Sequence, residues 1–289
     1  MGDRHAGKGI LLTVGSCIAF CVMSSLIRYA FYIDSYKTSL FRFIIGLGLL
    51  GTAAIFGKIS LRFEHGMFLF LRGLTGGVSV FCFYLSIAKL GLGKGTVIIY
   101  SYPIFASIFG AIFLREKVGV AKLATIIAAF AGIYCLVKAD AQGSALLASF
   151  GKYELIALLG AVLSGIAVVL INQLHETDST YAIFFAQCAI GMWVVIIPAN
   201  LVPISIGYLG GAILLCIGTA ATIGQLLMTE GFRHVTVTTG SILAMLVPVL
   251  NFLVGAIIFR EPVVCLEFVG AVTVLASCIA IILAEEQPK

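Results

Sequence analysis

Few residues in this chain could do covalent or proton-transfer chemistry, and their placement argues against it. The four histidines, His5, His65, His175 and His234, lie near the chain start or between long apolar runs. There is no His-Glu-x-x-His, no Gly-x-Ser-x-Gly and no acid pair inside an apolar run, so the usual hydrolytic constellations are absent. The eight cysteines all fall within apolar runs and none forms Cys-x-x-Cys. Cys17 and Cys21 share a helix face without a histidine or second cysteine pair, and read as small buried hydrophobes. No catalytic, cofactor or metal role is assigned.

The other polar residues inside apolar runs fall on helical stripes. Cys17, Cys21, Ser24 and Arg28 are spaced by 4, 3 and 4, and Thr96, Tyr100, Pro103 and Ser107 form a second stripe. Thr75, Ser79, Cys82 and Ser86 form a third, with Tyr84 on another face. Gly218, Thr222, Gln225 and Thr229 form a fourth, with Glu230 close by. Asn172 and Gln173 end a further run, and Pro248 lies near Met245 and Asn251. The candidate substrate-binding residues are Arg28, Ser24, Tyr84, Tyr100, Asn172, Gln225 and Asn251; the candidate gating residues are Pro103 and Pro248. Arg28 lies about a turn from its run's end, where it could equally snorkel to an interface. Gln225 could equally make an interhelical bond, and Tyr84 could be ordinary packing. Arg42 and Arg72 sit at helix starts and read as interfacial anchors. No carboxylate lies mid-run, and Glu230 is the nearest. Basic groups without buried acids favour a substrate bearing a carboxylate or phosphate.

Membrane-spanning helices must position these stripes. Of 289 residues, 61% are apolar and 11% charged, and the mean hydropathy is +1.14; soluble domains carry roughly 25% charged residues. The net charge of +5 is spread through loops without a nucleic-acid motif, so nucleic acid is not an expected partner. Runs near the roughly 20 residues a bilayer requires occur at 9–31, 38–57, 67–88, 95–114, 119–138, 153–173, 180–202, 207–231, 239–259 and 263–284. The first reads as a signal anchor, since no cleavage pattern ends it.

The two halves align at a constant offset of 145 residues. Gly95, Pro103, Gly110, Ala111, Ile112, Arg115, Glu116 and Val118 meet Gly240, Pro248, Gly255, Ala256, Ile257, Arg260, Glu261 and Val263, eight identities in 24 positions. The offset also pairs Arg28 with Gln173 and Arg42 with Gln187. This predicts an internal duplication, 9–138 and 153–284, joined by a 139–152 linker. Five spans per copy would invert the second copy, an architecture suited to alternating access. Lys58, Arg62, Arg72, Arg115, Lys117 and Lys122 cluster on one side, which places both termini in the cytoplasm.

Each half ends its fourth run in Pro103…Leu114-Arg115-Glu116 or Pro248…Phe259-Arg260-Glu261. With Phe41-Arg42-Phe43, Arg72-Gly73 and Tyr84, the whole chain resembles the EamA family of the drug/metabolite transporter superfamily. The resemblance implies an all-α membrane protein of ten transmembrane helices, in two inverted five-helix repeats around a central cavity. That cavity would be lined mainly by helices 1, 3, 4, 6, 8 and 9. The function expected is secondary transport of a small metabolite, a carboxylated organic anion or amino acid, across the plasma (inner) membrane. Export of cationic or drug-like compounds and lipid flipping are the alternatives, and a channel fits the duplicated design less well. The expected partners are the small-molecule substrate and membrane lipid, with a monomer as the functional unit.

Overall fold

The computed structural model describes residues 3–30, 32–115, 119–138, 151–201, 207–258, 260 and 265–286. Phe31, Glu116, Lys117, Val118, Phe259, Glu261, Val263, Lys289, most of the expected linker and the side chain of Thr96 lie outside that description. The described residues form α1 (Asp3–Tyr29), α2 (Ser35–Ile55), α3 (Gly66–Ile99), α4 (Tyr102–Phe113), α5 (Val120–Lys138), α6 (Lys152–Leu174), α7 (Thr180–Asn200), α8 (Tyr208–Gly231), α9 (Val237–Ala244), α10 (Leu246–Ile257) and α11 (Cys265–Glu286). Seven helical stretches among them are long and apolar enough to cross a membrane, and three shorter apolar helices accompany them. Large apolar side chains such as Leu11, Phe113, Val120 and Trp193 are exposed; so much apolar surface suits lipid, not water.

α3 runs through the expected turn between 88 and 95, yet it is not straight. Cys82 and Ile99 would stand about 25 Å apart along a straight helix. Both instead lie against Gly160, within 2.7 and 2.8 Å of where its Cβ would be. The chain therefore reverses between them, which separates the expected fourth run from the third.

Proline explains two breaks. Pro103 and Pro248 have no N–H to offer the carbonyls four residues back, and those carbonyls belong to Ile99 and Ala244, the last residues of α3 and α9. The chain tightens instead, with Ser101 N donating to Ile98 O at 3.2 Å and Met245 N to Ile242 O at 3.0 Å. Arg115 and Arg260, related by the same offset, have φ of 54° and 53°. That left-handed region is rarely adopted by residues other than glycine.

Packing follows the offset as well. α1 lies on α8 as α6 lies on α3, α2 on α8 as α7 on α3, and α10 on α1 as α4 on α6. The equivalent pairs α2–α7 and α5–α11 pack on one another. Single residues repeat the exchange: a Cβ on Gly73 would meet Ile190 and one on Gly218 would meet Ile45; Gly191 faces Phe43 and Gly46 faces Cys188; Gly15 faces Leu227 and Gly160 faces Cys82. In each pair both residue numbers shift by 145. Small residues permit these approaches, and close van der Waals contact is what holds helices together where lipid replaces water.

One end of the bundle carries hydrogen bonds between the halves. The Asp178 carboxylate accepts from Glu64 N at 2.7 Å and from His65 N at 3.4 Å. Ser179 Oγ donates to Ser60 O at 2.9 Å and accepts from Arg62 N at 3.4 Å. The equivalents of Asp178 and Ser179 in the first half are Ile33 and Asp34. Asp34 caps its own helix, accepting from Tyr36 N at 2.8 Å.

Candidate functional site

Two arginines lie in the interior. Arg42 is seven residues into α2 and Arg72 six into α3, depths of about 10 and 9 Å. They are 6% and 2% exposed. The sequence reading set both at helix starts as anchors. The correction comes from helix boundaries: α2 begins three residues before the expected span, and both side chains turn into the bundle.

Each guanidinium reaches a glutamine of the other half. Arg72 Nη2 donates to Gln187 Oε1 at 2.9 Å, and Arg42 Nη2 donates to Gln225 Oε1 at 3.3 Å. Gln187 is the offset partner of Arg42. Cys188, next to Gln187, lies against Gly46, one turn along α2 from Arg42. No carboxylate among the described residues pairs with either arginine. Arg42 Nε, Arg72 Nε, Arg72 Nη1 and Gln225 Nε2 are buried without a hydrogen-bond partner. All four are donors, so the cluster lacks acceptors.

Gly76 makes the cluster sterically possible. A Cβ there would overlap Arg72 Nη1 and lie 3.0 Å from Gln187 Nε2. The offset partners of Arg72 and Gly76 are Ile217 and Ala221. Where no guanidinium is housed, the position carries a methyl.

The expected site residues are dispersed around this centre. Gln225 is in it. Tyr84 is 3% exposed, with its hydroxyl unpartnered and its ring edge-on to Phe83. Asn251 is half-buried in α10 and its Oδ1 is unpartnered. Tyr100 is half-buried at the α3–α4 break, with its ring 6.3 Å from that of Tyr102. Ser24 donates to Phe20 O of its own helix at 2.9 Å. Asn172 Nδ2 donates to Phe232 O at 2.9 Å, tying α6 to the α8–α9 connection. Arg28 is exposed in the last turn of α1. Pro103 and Pro248 are buried in the first turns of α4 and α10. Five cysteines are buried, while Cys216 and Cys265 are exposed and Cys135 is half-buried.

Glu230 accepts from Thr180 Oγ1 and lies 3.3 Å from His234 Nε2 and 3.9 Å from Arg233 Nη1, so it belongs to the bundle end. Beside it His175 Nε2 meets Thr229 O at 2.7 Å. A carbonyl only accepts, so that nitrogen carries the proton, and burial holds the ring's pKa below its ordinary 6.5.

A helical bundle with lipid-facing apolar surfaces and an interior polar cluster shared between matched halves is an integral membrane protein of the transporter class. The EamA-like transporter family profile matches residues 7–138 and again 151–283, and the chain belongs to that family. It is similar to the pseudopaline exporter CntI of Pseudomonas aeruginosa, 27% identical across 95% of both chains. It is also similar to the S-adenosylmethionine uptake transporter of Rickettsia bellii, 26% identical across 96% of this chain and 93% of that one. Solute carrier family 35 member G1 of Mus musculus is 26% identical over 64% of this chain. A solved crystal structure, 16% identical, superposes with a TM-score of 0.76 over 98% of this chain and 96% of its own, and shares the fold.

Proposed function

We propose that this membrane transporter is a secondary carrier of a carboxylated small metabolite, working by alternating access. The carrying observation is the pair of buried guanidiniums with unpaired donors and no carboxylate neighbour among the described residues. A carrier of organic cations needs buried negative charge; this interior is arranged for an anion. In the proposal ten spans form two inverted five-helix repeats around a central cavity. The offset-exchanged contacts support it, because an odd number of spans per copy reverses the second copy. Arg42, Arg72 and Gln225 meet the anionic part of the substrate, and Tyr84 and Asn251, with unpaired buried oxygens, meet its neutral part. Tyr100, Ser24 and Asn172 line the path, Arg28 stands at its mouth, and Pro103 and Pro248 are hinges. The functional unit is a monomer in the plasma (inner) membrane with both termini cytoplasmic. Relatives named as an exporter and as an uptake transporter leave direction to the driving gradient.

Counterflow in proteoliposomes tests this. A labelled carboxylate should exchange saturably, and Arg72→Gln should abolish the exchange. Transport of a labelled organic cation unaffected by Arg42→Gln and Arg72→Gln, or scrambling of labelled lipid without carboxylate exchange, would refute it.

A further inference from the structure

We infer that the Arg42–Arg72 cluster is the seat of a dicarboxylate, one carboxylate to each guanidinium, and that Gln187 and Gln225 hold those positions when no substrate is bound. The inference rests on the reading of the chain as an anion carrier and deepens it.

The first argument is charge number. Arg42 and Arg72 carry two positive charges 6% and 2% exposed in one region of the interior: Arg72 meets Gln187, and the next residue, Cys188, lies against Gly46, one turn along α2 from Arg42. An uncompensated buried charge is strongly unfavourable, and a single negative charge leaves one of the two uncompensated. A dianion neutralises both.

Geometry supplies the second argument. The guanidiniums come from different helices and meet different glutamines, Arg42 with Gln225 and Arg72 with Gln187. A guanidinium presents its donors as a planar fork that matches a carboxylate's two oxygens. Here each fork is only partly used: Nη2 of each meets an amide oxygen, while Arg42 Nε, Arg72 Nε and Arg72 Nη1 are free. An amide oxygen accepts on one atom and carries no charge; a carboxylate in its place accepts on two and carries one. Two separate forks select two separate carboxylates over one compact anion.

A third observation narrows the substrate further. Among the described residues no carboxylate faces this cluster, so an ammonium group on the ligand would find no ionic partner there. Of the two classes read from sequence, organic anions fit this seat better than zwitterionic amino acids.

The displaced glutamines give the seat a mechanical role. Both Arg–Gln bonds join the halves, α2 to α8 and α3 to α7. A dicarboxylate that takes the guanidiniums releases both bonds at once, whereas a monocarboxylate leaves one in place. Release of the two halves would then depend on the charge of the ligand.

The test uses the full chain purified in detergent. Binding is measured by thermal stabilisation for linear dicarboxylates of increasing length, each beside its own monoamide. The monoamide has nearly the same size and one charge fewer. The expected result is at least tenfold tighter binding of one dicarboxylate than of its monoamide. Arg42→Gln and Arg72→Gln should each lower that affinity at least tenfold and bring the ratio toward one. If either glutamine variant aggregates, Arg42→Lys and Arg72→Lys retain the charge without the fork; they should bind more weakly and still prefer the dicarboxylate. Equal binding of every dicarboxylate and its monoamide overturns the inference, as does undiminished binding by the glutamine variants. If monocarboxylates bind and exchange in proteoliposomes as well as dicarboxylates, this seat is wrong and the anion carrier stands. If no carboxylate binds or exchanges, both fall.

Discussion

Replacing Gly76 with alanine puts a methyl group where the Arg72 guanidinium lies. The obstructing atom is the tip of a flexible side chain, so it can move, and the steric term is small. What is lost is the 2.9 Å bond to Gln187. A hydrogen bond from a charged donor contributes roughly 1.5–3 kcal/mol. Exchange of a helical glycine for alanine returns about 1 kcal/mol. The net expectation is destabilisation by about 0.5–2 kcal/mol, from these two terms. Arg72→Met removes the guanidinium, and in that background Gly76→Ala should stabilise by about 1 kcal/mol. The two backgrounds should therefore differ by roughly 1.5–3 kcal/mol, a coupling of the size expected for residues in contact. Denaturant unfolding of the four proteins in micelles measures it. Equal effects of Gly76→Ala in both backgrounds would refute the argument.

A Cβ on Gly77 would lie 2.6 Å from Gly191 Cα, whereas one on Gly48 meets nothing within 4 Å; Gly77→Ala should destabilise by about 1–3 kcal/mol and Gly48→Ala should not, as read by the same unfolding titration. His175, facing Thr229, Glu230, Arg233 and His234 and held below its ordinary pKa by burial, binds its proton more weakly folded than unfolded. Stability should thus be intact above pH 6.5 and decline as pH falls below it, and His175→Gln should flatten that acid limb of the unfolding profile. Arg115→Gly, at φ 54°, should relieve roughly 1 kcal/mol of left-handed strain and raise the unfolding midpoint, while the same change at Lys122, inside α5, should not.

Seven of the ten expected spans and the 145-residue offset were legible because apolar length and identity at fixed spacing are local signals. The offset even foretold contacts, since the two-fold exchange of Gly73–Ile190 with Gly218–Ile45 follows its arithmetic. Burial of Arg42 and Arg72 was not legible. Both lie within a few residues of an apolar run's edge, where an arginine can snorkel out or turn in, and only the neighbouring helices decide. A usable signal existed: Arg42 has a glutamine as its repeat partner, and Arg72 is followed four residues later by a glycine whose repeat partner is alanine. Arg28 shows the converse. Its stripe suggested the interior, but α1 ends one residue later and the side chain is exposed. The α3–α4 and α9–α10 breaks were foreshadowed by their prolines, whose missing donors set the break four residues upstream.

The hydrogen bonds that the Asp178 carboxylate accepts from the 60–65 segment have no counterpart at Ile33, whose side chain carries no acceptor. A machine of two interchangeable halves would rest equally in either of its end states. Two such bonds at about 1 kcal/mol each tilt the balance by roughly 2 kcal/mol, about thirtyfold in occupancy. In the proposed alternating-access cycle, the carrier would idle closed on the face that holds this clasp, waiting open on the other, and the clasp rather than the helices would set where that cycle pauses.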